Sequence, residues 1–244
     1  MPHETTERTA GDIRALLEQI DFYRALALAF LPHRAADDPA LRAAFRRLPG
    51  PLGERLQALL ERQPLEERQA EERRLFAPTL TREAPPYETE YGDALIFRKA
   101  QDLADIAGFY RAFGLVPRPE SGERLDHVAT ELEFLGFLRL KEAWAWERGR
   151  REDAEVTADA ARKFLHDHAG RWMPGFLDRL AARARHDGFY AGLAEGAKEF
   201  LREELRAAGV EPDDLPALEP RQEADAPEGC SFSCGAGPGM EEER

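Results

Sequence analysis

QDLADIAGFYRAFGL at 101–115 and GERLDHVATELEFLGFLRLKEAWAW at 122–146, separated by a loop rich in proline, decide the fold. Leu103, Ile106, Tyr110 and Phe113 recur every three or four residues, the period of a helix and not of a strand. Gly114 fits the position just past a helix C-terminus, and Pro117 and Pro119 prevent continuation. In the second half Val128, Leu132, Leu135 and Leu138 form one stripe, which Phe134 and Phe137 widen. A helix with so broad an apolar face is buried on more than one side, which predicts a central position in a bundle.

Working outward, Asp12 is placed to cap a helix running to Leu31, which Pro32 ends. Asp38-Pro39 opens a short helix carrying Leu41, Phe45 and Leu48. After the break at Pro49-Gly50-Pro51, Leu52, Leu56, Leu59 and Leu60 mark a third helix, and Pro64 opens a more polar fourth to Phe76. APTLTREAPPYETEYG (77–92) has three prolines and no period, but Tyr87 and Tyr91 make it an ordered loop packed on the body. Gly149 closes the central helix. Further helices are expected over Asp153–Ala169 (stopped by Gly170), from Pro174 to Gly188, and from Phe189 to Ala208. The expected architecture is all-α: a flexible segment 1–10, one bundle-like domain of roughly eight to ten helices over 11–209, and a disordered acidic tail over 210–244.

The formal charge is −13, and residues 211–244 hold ten acidic and two basic side chains, so −8 of it lies in the tail. That balance argues against nucleic acid as a partner, which requires a basic surface. Ala25–Leu31 is the longest apolar run near the N-terminus and falls short of the roughly 18–20 residues of a membrane span. No basic segment, apolar stretch and small-residue cleavage site follow one another there. The expectation is a cytoplasmic protein with no stable membrane insertion. Both cysteines, Cys230 and Cys234, are in the tail, so no disulfide framework holds the body.

The chemistry-bearing residues are few. Asp126-His127 reads either as an acid/base pair or as a dipole-favoured first-turn residue beside a structural hydrogen-bonder. Neighbours on a helix point about 100° apart and bond each other poorly. Glu123, His127, Glu131 and Glu133 cluster, but none of the six histidines has a glutamate three residues before it, as a helical di-iron site requires. His166 and His168 fall on opposite helix sides, and two thiols do not make a tetrahedral zinc site. Gly235-x-Gly237-x-Gly239 and Gly192–Lys198 lack the context of a nucleotide loop. These patterns predict no enzyme, no metal and no cofactor.

Three motifs in order, Pro85-Pro86-Tyr87-Glu88, then Asp105-Ile-Ala-Gly-Phe109-Tyr110-x-Ala-Phe113-Gly114-Leu115, then Asp126-His127-x4-Leu132-Glu133-Phe134, make the chain resemble the TorD/DmsD/NarJ family. The resemblance covers residues from about Leu75 to the last helix. It implies an all-helical, non-catalytic chaperone that holds the twin-arginine signal peptide of a molybdenum-cofactor oxidoreductase catalytic subunit until the cofactor is inserted, with weak nucleotide binding as a further possibility. A family pattern aromatic-x-x-Leu-Phe matches at Leu75 and Phe76, with Glu72 in the aromatic's place. A pattern Glu-Pro-x-Asp-His matches at Glu123, Asp126 and His127, with Arg124 in the proline's place, which implies a changed approach to the central helix. The resemblance implies a signal-peptide site that includes Asp126 and His127, in which Asp126, with Glu123 and Glu88, meets the arginines, while Leu75, Phe76, Tyr87 and Tyr91 line an apolar groove. Two rival readings remain at this level: a small metal-dependent enzyme using Asp126, His127 and Glu131, and an assembly scaffold whose acidic tail recruits a basic partner.

Overall fold

The computed structural model describes residues 10–32, 38–76, 83–92, 96–116 and 123–211. They fold into α1 (Ala10–Phe30), α2 (Asp38–Phe45), α3 (Gly50–Arg62), α4 (Leu65–Phe76), a 3-10 turn (Glu88–Glu90), α5 (Ile96–Ala112), α6 (Val128–Glu147), α7 (Arg151–Phe164), α8 (Gly170–Arg183) and α9 (Phe189–Ala207). Among the described residues the only β-type pairing is a single antiparallel bridge between Tyr87 and His127. No helix among them is long and apolar enough to cross a membrane.

The helix at 128–147 is central, as its apolar width predicts. Leu132, Leu135 and Leu138 are buried, and so are the polar side chains Glu131, Arg139 and Glu142. It packs against α1 on one side and α7 on the other. Gly136 lets α1 approach: a Cβ there would sit 3.1 Å from the Cβ of Tyr23. Such a distance is tighter than an ordinary contact, so a Cβ there requires Tyr23 to give by a few tenths of an ångström. On the other side of α6, Phe134 lies edge-on to Phe164 of α7 with centroids 4.9 Å apart, and Tyr110 of α5 is 4.7 Å from Phe134. A second aromatic seam joins α1 to α9, where Phe22 stacks on Phe200 at 5.0 Å. The buried polar groups of this seam pair off. Tyr23 donates to Glu204 (2.7 Å), and Arg139 bridges Glu204 (3.2 Å) and Glu142 (3.1 Å).

Gly114, Gly149 and Gly209, with φ of 74°, 67° and 70°, follow α5, α6 and α9, the left-handed geometry that a Cβ disfavours. Gly170 behaves differently and corrects the expected boundary. Its φ of −68° is helical, and α7 runs through a π turn (Leu165–Ala169) straight into α8. Pro174 accordingly lies inside α8 instead of opening it. A proline near a helix start removes only a bond to the preceding turn, which the widened π turn already disturbs. The same turn rotates His168 into the interior while His166 and Asp167 stay exposed.

Val210, where the acidic tail was expected to begin, is buried, and its N–H donates to the Leu205 carbonyl (2.8 Å). Residues 212–244 of that tail, Cys230 and Cys234 included, lie outside the described residues, as do residues 1–9 of the expected flexible N-terminus.

Candidate functional site

The turn ahead of α6 and the segment 83–92 form one unit, because each supplies the other's missing backbone partners. Glu88 N–H donates to the Asp126 carbonyl (2.9 Å) and Val128 N–H to the Pro86 carbonyl (2.9 Å), so the prolines that bar a helix leave their carbonyls for α6. His127 caps α6. Its Nδ1 accepts from Ala129 N–H at 3.2 Å, and its ring packs edge-on against Tyr87. Burial, assisted by Arg124 and opposed by Asp126, lowers its pKa to about 4, which keeps the ring neutral and Nδ1 an acceptor. Of the two sequence readings, His127 fits the structural hydrogen-bonder.

Asp126 is wholly buried and already holds a guanidinium. Arg124 sends Nε to Oδ1 (2.9 Å) and Nη2 to Oδ2 (2.7 Å), a bidentate fork, while Thr89 contributes its N–H (3.1 Å) and hydroxyl (2.7 Å). Glu88, expected to meet a peptide arginine, is also interior. Its carboxylate lies 3.0 Å from His168 Nδ1. Burial opposes the imidazolium, but Glu88, then Asp105 and Asp167, outweigh it and hold the pKa of His168 above its ordinary value. Glu131, next to Glu88, accepts from Trp172 Nε1 at 2.9 Å. Burial first, and then Glu88, push its carboxyl well above the usual range.

The expected apolar wall is corrected in part. Leu75 is fully buried in the core and Tyr91 is 1 % exposed, packed against Trp172, so neither lines a surface groove. Phe76 is half-buried between Tyr190 and Phe176, and Tyr87 is half-buried under Arg124. Helical spacing identifies an apolar stripe but not whether it meets protein or solvent. Asp126, His127 and Glu131 also fail to converge as an enzyme would require. They engage Arg124 and Thr89, Ala129, and Trp172 in turn, and no group of three His, Cys, Asp or Glu among the described residues is placed to hold a metal ion.

The surface groove lies on the other side of the same turn. It has a volume of about 490 Å³ and is walled by Leu31 after α1, Tyr110, Leu115 and Val116 at the end of α5, Leu125, and Phe134 and Phe137 of α6. Glu123 and Glu133 are its acidic members. Partial desolvation raises the Glu133 carboxyl above the ordinary glutamate range. Val116 is 76 % exposed, an unusual setting for valine. Of the sequence-expected site residues, only Glu123 lines this groove. The signal for the rest is the apolar pair Leu115-Val116 directly after the helix stop at Gly114. A second groove of about 510 Å³ runs between α5, α6 and α7 and contains Lys141, Trp144 and Lys163. Two of its cations are already matched: Lys163 with Asp159 (2.8 Å) and Arg150 with Asp153 (2.5 Å).

Known proteins match parts of this sequence. The chain is 42 % identical over 80 residues to a chlorate reductase assembly chaperone protein of Ideonella dechloratans, covering 33 % of this chain and 40 % of that one. It is 35 % identical over 117 residues to a selenate reductase assembly chaperone protein of Thauera selenatis (48 % and 58 %). It is 30 % identical over 117 residues to a chaperone protein TorD of Photobacterium profundum (48 % and 52 %). The chain thus spans about half the length of the relatives it matches. Residues 35–178, which include α2 to α7, the turn before the central helix and most of α8, match the family described as Nitrate reductase delta subunit, and this chain belongs to that TorD/NarJ-type family.

Proposed function

We propose that this protein is an assembly chaperone for a molybdenum-cofactor reductase and that it holds the twin-arginine signal peptide of the catalytic subunit in the cytoplasm while the cofactor is inserted. The observation that carries the reading is the groove beside the start of α6, apolar along its length and acidic at Glu123 and Glu133. A twin-arginine peptide has the complementary order, two guanidinium groups followed by an apolar helix-forming stretch. About 490 Å³ accommodates several apolar side chains from one face of a docked helix and not the whole helix. The carboxylates receive the cations at the rim, where water still competes and a single ion pair adds only about 0.2–1 kcal/mol. Burial of apolar side chains therefore supplies most of the affinity, and the acidic residues select the peptide. The assembly role named for the relatives accords with this division of labour.

The test is calorimetric titration with a synthetic peptide carrying two arginines and an apolar stretch. Phe137→Ala, on the half-buried groove wall, is expected to weaken binding by about tenfold for the loss of roughly 1–2 kcal/mol of apolar contact. The wild type's failure to bind the peptide, or unchanged binding by Phe137→Ala, sinks the reading.

A further inference from the structure

Residues 123–126 alternate in direction. Glu123 and Leu125 face the groove, whereas Arg124 and Asp126 turn toward the 3-10 segment. There Arg124 occupies a socket whose walls are built by other residues. Asp126 accepts its fork, Thr89 Oγ1 accepts from Nη2 at 2.6 Å, Glu90 Oε1 lies 3.3 Å from Nη1, and the Tyr87 ring lies under the guanidinium at 4.4 Å from its centroid. Two carboxylates, a hydroxyl oxygen and an aromatic face suit a planar, delocalised cation with several donors, and suit an ammonium poorly.

The other members of the socket are also held by contacts that do not involve the Arg124 side chain. Thr89 holds the Asp126 carboxylate through both its N–H and its hydroxyl, and the Asp126 carbonyl is held by Glu88 N–H. The turn itself is pinned through main-chain atoms, with Thr130 Oγ1 donating to the Arg124 carbonyl (3.2 Å) and Tyr110 to the Leu125 carbonyl (2.9 Å). Lys99 remains to neutralise Glu90 at 3.0 Å. Arg124 reaches the socket from its solvent side, its side chain 35 % exposed, whereas the Asp126 carboxylate beneath it is wholly buried.

We propose that this is a guanidinium socket that exchanges occupants: Arg124 fills it in the free protein, and an arginine of the bound client peptide takes its place. The identity of the incoming arginine rests on the function proposed above, whereas the socket itself does not. Arg124 is then a built-in competitor. The apparent affinity for the peptide is scaled by the fraction of time the socket stands open, and an occupancy of about nine-tenths costs about tenfold. Competition of this kind favours peptides that bring both a guanidinium and the apolar stretch, because neither alone displaces a tethered side chain.

Two measurements separate the socket from the peptide reading. In the first, Arg124→Ala and Arg124→Gln are melted with millimolar N-acetyl-arginine amide or N-acetyl-lysine amide. The arginine compound is expected to raise both melting temperatures, the lysine compound is not, and adding Asp126→Asn is expected to abolish the response. Equal responses to the two compounds, no response, or variants that stay unfolded in the arginine compound overturn the socket. In the second, Arg124→Ala is titrated with the twin-arginine peptide and is expected to bind about tenfold more tightly than wild type, a gain that Asp126→Asn removes. If wild type binds the peptide and Arg124→Ala binds it no better, the exchange is overturned and the function stands. If the arginine compound stabilises the variants but neither protein binds the peptide, the function falls and the socket stands.

Discussion

Trp172 donates its indole N–H to Glu131 Oε2 at 2.9 Å in the interior between α6 and α8, while the other oxygen of that carboxylate has no hydrogen-bond partner. Glu131 is 0 % exposed, and the charge that acts on it most strongly is that of another carboxylate, Glu88. With the folded pKa raised, the native state retains a proton that the unfolded chain releases, so stability falls as pH rises above the unfolded glutamate value of about 4.3. Glu131→Gln keeps an acceptor for Trp172 and offers Glu88 a donor. The variant is expected to be more stable than wild type at neutral pH by about 1–3 kcal/mol, with a smaller gain near pH 5. Denaturant melts at the two pH values decide it, and a loss of stability at neutral pH refutes it.

The two buried histidines of the site are expected to titrate in opposite directions. His127 stays neutral down to about pH 4, whereas His168 remains protonated above its ordinary pKa because Glu88, Asp105 and Asp167 outweigh its burial. The stability that His168 adds is therefore complete below the unfolded value of about 6.5 and lost as pH rises through its folded pKa. For His127 the sign reverses: its contribution is complete above about 6.5 and lost as pH falls toward about 4. Imidazole NMR shifts followed through the titration, with His127→Asn and His168→Asn as assignments, check both. Two curves centred together near the ordinary value contradict the geometry.

Arg139 bonds both Glu204 and Glu142, and it ties α6 to α9 at the seam with Tyr23 of α1. Replacing it by Met removes the guanidinium that the two buried carboxylates share, so a loss of about 3–5 kcal/mol is expected. Adding Glu204→Gln, which neutralises one of them and leaves an acceptor for Tyr23, is expected to recover part of that loss. Thermal melts of the single and double variants test the coupling, and additive losses argue against it.

Glu133 predicts a pH dependence for peptide capture. Its carboxyl is held above the ordinary range by desolvation at the groove wall, so it neutralises earlier than a free glutamate as pH falls. Affinity for a twin-arginine peptide is expected to be weaker at an acidic pH than at a neutral one in wild type, and Glu133→Gln is expected to flatten that slope. Titrations at both pH values compare the slopes, and parallel lines for the two proteins assign the dependence to other groups.

The helices were legible in the sequence because their signals are local. Apolar residues three and four apart, prolines at helix starts, and Gly114, Gly149 and Gly209 in left-handed geometry act within a turn or two of themselves. The width of the stripe on 128–147 likewise announced a central helix, since so broad an apolar face has to be covered from more than one side. Gly170 was misread for a local reason, because glycine ends a helix only where the chain needs positive φ, and here φ is −68°. The site was another matter. Asp126 and Glu123, three residues apart, end on opposite sides of one turn, and what each meets comes from other segments of the chain: Thr89 and Glu90 for the socket, Tyr110, Val116 and Phe137 for the groove. Sequence alone established the family's motifs and the helical bundle. Only the tertiary structure decided that the aspartate is already occupied by Arg124 and that the open apolar surface lies next to it, because burial and pairing are set by which distant segments pack together and not by the order of residues along one of them.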